Sequence, residues 1–419
     1  MVLCPKSGVE VLFESNINDD GVDTWIAADL VAVVEAEGML SSIKRLTGGN
    51  SSAWAFGWET SNGQLGTDLD SIHRFSLRNV GISGLAILRL QPHPSRPAHL
   101  EDYPMLDEQF PYQLSVPTIG KRLTLHGSGF GLIAPSVLIN NISRGVVANI
   151  IHPHSVARKM DEQASSLILT DARFLPGMEG GPVSWDETGE LAGLSMLTIR
   201  RADGEPVDIS LVIPVACILS AISPYITIPT QPLLPNHIAA LNSATLLHAR
   251  QAVVMLQIGQ AWASGVVISE RGRMVKPITH GTPLFAIGHG IFGPPSGILP
   301  LITSGFCSKV VTFNREPTMM ITSAPVHQGN SGGVIVNTEG HFIGLVTGNG
   351  KTSTGRTITH LNFAIPLEAM TDTVNSYLAS EDRRWLDRFN GPPARISEIW
   401  ALRGYAPVHK ALDKVPSKL

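Results

Sequence analysis

Cysteine is nearly absent from this chain. Cys4, Cys217 and Cys307 are three in 419 residues, odd in number and far apart, which excludes a disulfide framework and gives no metal-ligand spacing. The expected compartment is intracellular. Charge is also scarce: Asp, Glu, Lys and Arg make up 16% of the residues, against roughly 25% in an average globular chain. The net charge of −4 comes without any polybasic run, so neither nucleic acid nor an anionic membrane surface is an expected partner. Long apolar runs are missing as well. Residues 209–236 carry no charged side chain, but Pro214, Pro224, Pro229, Pro232 and Pro235 interrupt them, short of the roughly 20 continuous residues a bilayer helix needs. The opening Met-Val-Leu-Cys-Pro-Lys-Ser-Gly lacks the charged start, apolar run and cleavage site of a secretory signal. The last absence is local: no Asp occurs from Gln251 through Thr371.

What is abundant points to strands and turns. Glycine at 40 and proline at 29 favour short strands over long helices. The length and 43% hydrophobic content suit two domains, because single cores rarely grow beyond roughly 250–300 residues.

The chain also repeats itself. A first copy reads Leu-Ile-Leu-Thr-Asp-Ala (167–172), Gly177-Met178-Glu179-Gly180-Gly181, Gly-Glu-Leu-Ala-Gly-Leu (189–194) and Asp-Ile-Ser-Leu-Val-Ile-Pro (208–214). A second reads Met-Met-Ile-Thr-Ser-Ala (319–324), Gly329-Asn330-Ser331-Gly332-Gly333, Gly-His-Phe-Ile-Gly-Leu (340–345) and His-Leu-Asn-Phe-Ala-Ile-Pro (360–366). Each block is an apolar or β-branched run fenced by Gly, Pro, Asn or Ser, hence strand, turn, strand. A helix is expected after each Ile-Pro, over 215–222 and 367–378. These signals divide the chain into a first domain (1–228), a Pro-rich linker (229–240), a second domain (241–380) and a tail (381–419), in which Ile396–Leu402 reads as a short docking helix.

Gly329-Asn330-Ser331-Gly332-Gly333 is the segment that could carry chemistry. Glycines on both sides let the backbone turn so that the N–H groups of Gly329 and Ser331 aim at one point, an oxyanion hole, while the Ser331 hydroxyl faces a carbonyl. A plain β-turn is the alternative for the motif taken alone. At the other end, Ser417-Lys418-Leu419 has the form of a peroxisomal targeting signal, read by an import receptor.

Order and spacing extend the case. Trp262-Ala-Ser-Gly-Val-Val, then Ala286-Ile-Gly-His-Gly290, Gly-Asn-Ser-Gly-Gly, Gly-Leu-Val and Asn362-Phe-Ala-Ile-Pro366 resemble the Deg-type, trypsin-fold serine endopeptidases. With the terminal tripeptide they resemble the peroxisomal and glyoxysomal processing proteases of that family. The resemblance implies a mostly β fold of tandem chymotrypsin-like barrel domains, the first degenerate and the second shortened. It also implies a location in the peroxisome or glyoxysome matrix, precursor matrix proteins as substrates, and removal of targeting presequences through an acyl-enzyme on Ser331 with no metal or organic cofactor. Whether the chain forms a homo-oligomer stays open.

Two departures qualify this. Glu179 stands at the nucleophile position of the first copy, and Gly84-Leu85-Ala86-Ile87-Leu88 replaces the family's Asp-bearing strand, so that copy is expected to serve packing or recognition. In the second copy the sequence passes from Glu270-Arg-Gly-Arg-Met-Val275 directly into Lys276-Pro-Ile-Thr-His280, and the stretch that holds the family's His and Asp is missing. His280 is the expected substitute base. His327, Pro325 and His360 are expected at the substrate rim, and Pro325 where enzymes that cut after Arg or Lys carry an acid. The competing readings are an impaired pseudoprotease, from a splice form or gene model, that binds peptides or regulates a partner, and a purely structural adaptor.

Overall fold

The computed structural model describes residues 2–3, 9–13, 24–36, 38–48, 53–56, 84–91, 117–129, 141–152, 167–201, 206–225, 241–259, 261–268, 278–352, 354–390 and 394–401. The Pro-rich linker and the tripeptide Ser417-Lys418-Leu419 lie outside them.

The fold is mostly β, with two closed six-stranded barrels built on one plan. The first barrel comprises β6 (Arg122–Gly127), β7 (Asn141–Ile151), β8 (Leu167–Thr170), β9 (Pro182–Trp185), β10 (Leu191–Arg201) and β11 (Pro206–Pro214), joined in the ring order β6-β7-β8-β11-β10-β9. The second comprises β14 (Pro283–Gly288), β15 (Leu301–Phe313), β16 (Glu316–Thr322), β17 (Val334–Asn337), β18 (Phe342–Lys351) and β19 (Thr357–Pro366), in the matching order β14-β15-β16-β19-β18-β17. The four repeated sequence blocks fall on the same four places in each ring. Each barrel runs into a helix where the Ile-Pro steps predicted one: α2 (Val215–Ile222) and α4 (Glu368–Ser380).

In front of each barrel lies a smaller sheet, and here the halves differ. The first half has β1 (Val2–Leu3), β2 (Val9–Phe13), β3 (Thr24–Glu35) and β5 (Gly84–Leu90) in one open four-stranded sheet. It also has α1 (Met39–Leu46), whose Met39, Ile43 and Leu46 share one face at i, i+4, i+7 spacing and are all buried. A short strand β4 (Trp54–Phe56) pairs with β10. The second half has α3 (Leu241–Gln251) and a hairpin alone, β12 (Val253–Ile258) with β13 (Ala261–Val266). Only residues 267–282 separate β13 from β14, too few for the strands of another barrel. The hairpin therefore keeps an uncovered side: alternate residues Val254, Leu256 and Ile258 are exposed, Ile258 at 85%. Beyond α4, a 3₁₀ turn (Arg383–Phe389) leads to α5 (Ala394–Trp400), a helix over most of the predicted tail segment.

The halves share a core. Ile291, Phe292, Ile298 and Leu301 of the second half are buried in the same cluster as Met39, Leu46, Ile199 and Ile209 of the first, worth about 1.5–3 kcal/mol for each large side chain taken from water. Phe292 stacks on Trp54 with ring centroids 5.2 Å apart. Polar bonds cross the same boundary. Asn149 Nδ2 donates to the Leu299 carbonyl at 2.9 Å. The buried Arg250 donates from Nη2 to Asn149 Oδ1 at 3.0 Å and from Nε to the Pro300 carbonyl at 2.8 Å, and burial pulls its pKa down to about 10.

Asp171 is the sharpest of these links. Its Oδ1 accepts the Val146 N–H at 2.7 Å, while its Oδ2 accepts the N–H and the hydroxyl of Ser304 at 2.5 and 2.8 Å. Desolvation raises the Asp171 pKa above 3.8, against the pull of these hydrogen bonds. Asp171→Ala would strand two buried N–H groups and should cost about 1–3 kcal/mol in a urea titration. The folded chain holds a proton at Asp171 more tightly than the unfolded chain does. Wild-type stability should therefore fall as pH rises from about 4 through the raised pKa, a slope that Asp171→Asn removes.

Candidate active site

The glycine-rich loop between β16 and β17 is held from both sides. Gly332 N–H donates to the Val346 carbonyl, Val346 N–H to Gly333, and Gly333 N–H to Asn330, all at 2.8 Å. From behind, the hairpin clamps it: Ser264 N–H donates to the Ser331 carbonyl at 2.9 Å, and the buried Ser264 hydroxyl donates to the Gly329 carbonyl at 2.8 Å while accepting the His289 N–H at 2.7 Å. Gly329 has φ +95°, and a Cβ there would collide with Trp262 Nε1 and the His289 carbonyl. Trp262 Nε1 itself donates to that carbonyl at 3.1 Å.

So held, Ser331 is exposed at the mouth of a cavity of about 230 Å³. Among the described residues, neither the Gly329 N–H nor the Ser331 N–H donates to a backbone acceptor. Two free amides beside an exposed hydroxyl can stabilise the oxyanion of an attacked carbonyl. The hydroxyl donates to the Thr347 carbonyl at 2.7 Å.

The first copy shows the same loop with different chemistry. Gly177 and Gly180 have φ +93° and +78°, against +95° and +82° for Gly329 and Gly332. Gly180 N–H donates to Ser195 and Ser195 N–H to Gly181, both at 2.8 Å, as in the second copy. Here, however, Glu179 Oε2 accepts the Gly177 N–H at 2.7 Å. Its carboxylate sits on the amide equivalent to Gly329 N–H, where a developing oxyanion would have to go.

The predicted partners of Ser331 divide. His327 lines the cavity with it. Pro325 is buried, its carbonyl accepting the Thr303 hydroxyl at 2.7 Å, and lies outside the cavity lining. His360, with φ +61°, points its Nδ1 at the Ser323 carbonyl, 3.0 Å away, and is also outside it. His280 is not brought to Ser331. It occupies the exposed turn before β14, whereas the nucleophile loop backs onto the far end of that strand at Gly288; five residue steps of strand put them about 17 Å apart. His289 is nearer, but burial lowers its pKa and its ring stands behind the loop beside the backbone of Val253 and Ile298. The remaining cavity wall comes from residues the sequence did not single out. Arg201 of the first half donates from Nη1 to Gln328 Oε1 at 3.4 Å, and Lys351 pairs across the sheet with Thr357. Ile291, a β-branched residue at φ +66°, donates its N–H to the Gln328 carbonyl at 2.7 Å, a strained backbone held by the shared core. Among the described residues no group of three His, Cys, Asp or Glu side chains is placed to hold a metal ion. No helix among them is long and apolar enough to cross a membrane.

A trypsin-like peptidase domain model matches residues 235–345. The peroxisomal leader peptide-processing protease of Homo sapiens is 28% identical over 356 residues, covering 68% of this chain and 60% of that protein. Its Mus musculus counterpart is 26% identical, covering 72% and 62%. These similarities are to trypsin-type serine peptidases. The chain spans about 60% of the length of these two peptidases. A serine endoprotease from Yersinia pestis aligns over 63% of this chain and 65% of its own at 17% identity, with a TM-score of 0.20, and nothing here rests on that overlap. The loop glycine should be irreplaceable. Gly329→Ala is expected to lower stability by about 1–3 kcal/mol, whereas Gly348→Ala, whose added carbon meets nothing within 4 Å, should stay within about 0.5 kcal/mol; denaturant midpoints of the two variants check this.

Proposed function

We propose that the chain is a peroxisomal serine endopeptidase of the presequence-processing kind, with residues 1–228 as a non-catalytic partner domain and 241–380 as the peptide-cutting domain. Ser331 Oγ forms a bond to the scissile carbonyl, and the resulting oxyanion is held by the N–H groups of Gly329 and Ser331. The C–N bond then breaks, the hydroxyl proton leaves with the amine, and water releases the acyl group. The observation that supports this is the pair of amides without backbone acceptors beside an exposed hydroxyl and a cavity. The relatives' names, and the tripeptide Ser417-Lys418-Leu419 as an import-receptor address, support the compartment. Precursor matrix proteins are the proposed substrates.

Where no imidazole serves Ser331, proton transfer falls to water. Loss of the orienting acid alone costs about 10⁴ in turnover, and loss of the base about 10⁶. The hydroxyl's bond to Thr347 favours a second reading in the same terms: a pseudoprotease that binds peptides through the cavity and regulates an intact partner. A fluorophosphonate probe separates the two. Slow labelling that Ser331→Ala abolishes, with presequence-peptide cleavage about 10⁴ to 10⁶ below that of a complete triad enzyme, is the expected result. A folded sample that takes up no label and cuts no peptide leaves the binding role.

A further inference from the structure

The cavity beside Ser331 is built from both halves, and its charge is one-sided. Arg201 ends β10 of the first barrel. The pairing of Arg201 with Trp54, and the stacking of Trp54 on Phe292, carry it to the second barrel. There its guanidinium meets Gln328, three residues before the nucleophile. Lys351 ends β18 and lines the same cavity. Among the described residues no Asp or Glu lines it. An arginine and a lysine facing one volume of about 230 Å³ make a seat for an anion, the guanidinium offering paired donors to a carboxylate.

We infer that Arg201 and Lys351 form a carboxylate subsite, so that the degenerate half supplies a specificity-determining residue for the peptide bound at Ser331. The inference rests on the reading of this cavity as the peptide site, though not on hydrolysis there. The carboxylate has two sources in a peptide: an Asp or Glu side chain near the bond facing Ser331, or a free carboxyl terminus. The Gln328 amide held between Arg201 and the loop ties occupancy of the subsite to the position of the nucleophile.

The test is binding to the full chain carrying Ser331→Ala, so that failure of turnover does not enter. Ligand-observed NMR titrations would compare three peptides: doubly capped Ala-Ala-Glu-Ala, its Gln counterpart, and Ala-Ala-Gln with a free carboxyl terminus. The expected result is that at least one carboxylate peptide binds about fivefold to tenfold more tightly than the capped Gln peptide at low ionic strength. Which one it is identifies the source. Arg201→Gln and Lys351→Gln, each checked for an unchanged melting temperature, should erase most of that preference. Should Arg201→Gln fail to fold, Lys351→Gln decides by itself. Equal affinity for all three peptides overturns the inference, as does a preference that survives the folded variants or an absence of binding up to about 10 mM. The serine-probe experiment reads a different property, so a negative there with a positive here would retire the hydrolytic reading and keep the subsite.

Discussion

The docking of one barrel against the other is the constraint on which the rest of the molecule depends. Neither half closes its own hydrophobic surface: Ile291, Phe292, Ile298 and Leu301 leave the second half to complete a core whose other members come from the first. Buried polar groups then fix the register of that contact, because Asp171, Asn149 and Arg250 find their hydrogen-bond partners only in this arrangement and would each be costly if displaced by an ångström. The segment that bears this load is also the wall of the cavity. Ile291 is held at a positive φ by its burial, and from that position its N–H sets the carbonyl of Gln328, next to the nucleophile loop. Packing between the halves and geometry at Ser331 are therefore one problem, which gives a reason for a copy without a nucleophile to persist.

Duplication explains the rest of the architecture. The rings match strand for strand, and the two glycine loops share their backbone bonds to β10 and β18, while Met178 and Glu179 stand where the second loop has Asn330 and Ser331. A serine leaves the amides open to a substrate oxygen. A glutamate in the same place satisfies the amide with its own carboxylate, and an anion already seated there opposes a second. The first loop keeps its conformation because the glycine turns and strand bonds enforce it, and lost its chemistry through a group that fits the same donor.

How far the sequence could be read follows from what kind of information each feature carries. Both barrels, both helices after Ile-Pro and the glycine loop were legible because strand, turn and cap signals are local. The Asp-free stretch was legible as a composition fact, and the loop's hydroxyl is seen bonded to the Thr347 carbonyl. His280 misled because spacing from Ser264-Gly265 is a distance along the chain, and a strand interposed between turn and site converts a few residues into nearly the length of a barrel. Pro325 and His360, expected at the substrate rim, are not among the residues that line the cavity; alternate residues of an extended segment face opposite ways, which a place in the sequence does not reveal. Arg201 left no local signal. Its relevance arises from a fold contact with Gln328, 127 residues away in sequence.

The shortened front decides what the second half can still do. In front of the second barrel stands the β12–β13 hairpin, and it holds backbone. Ser264 and Trp262 still grip the loop from behind, so the oxyanion donors keep their aim, while Leu256 and Ile258 lie bare where further strands would have covered them. Positioning of amides and a cavity for a side chain need only a rigid frame, and the frame is present. Proton transfer needs a titratable group at hydrogen-bond distance, whereas the bond that Ser331 Oγ makes goes to a carbonyl, which cannot take a proton near neutral pH. Holding amides in place and moving a proton thus make different demands, the first met by packing and the second by a titratable side chain.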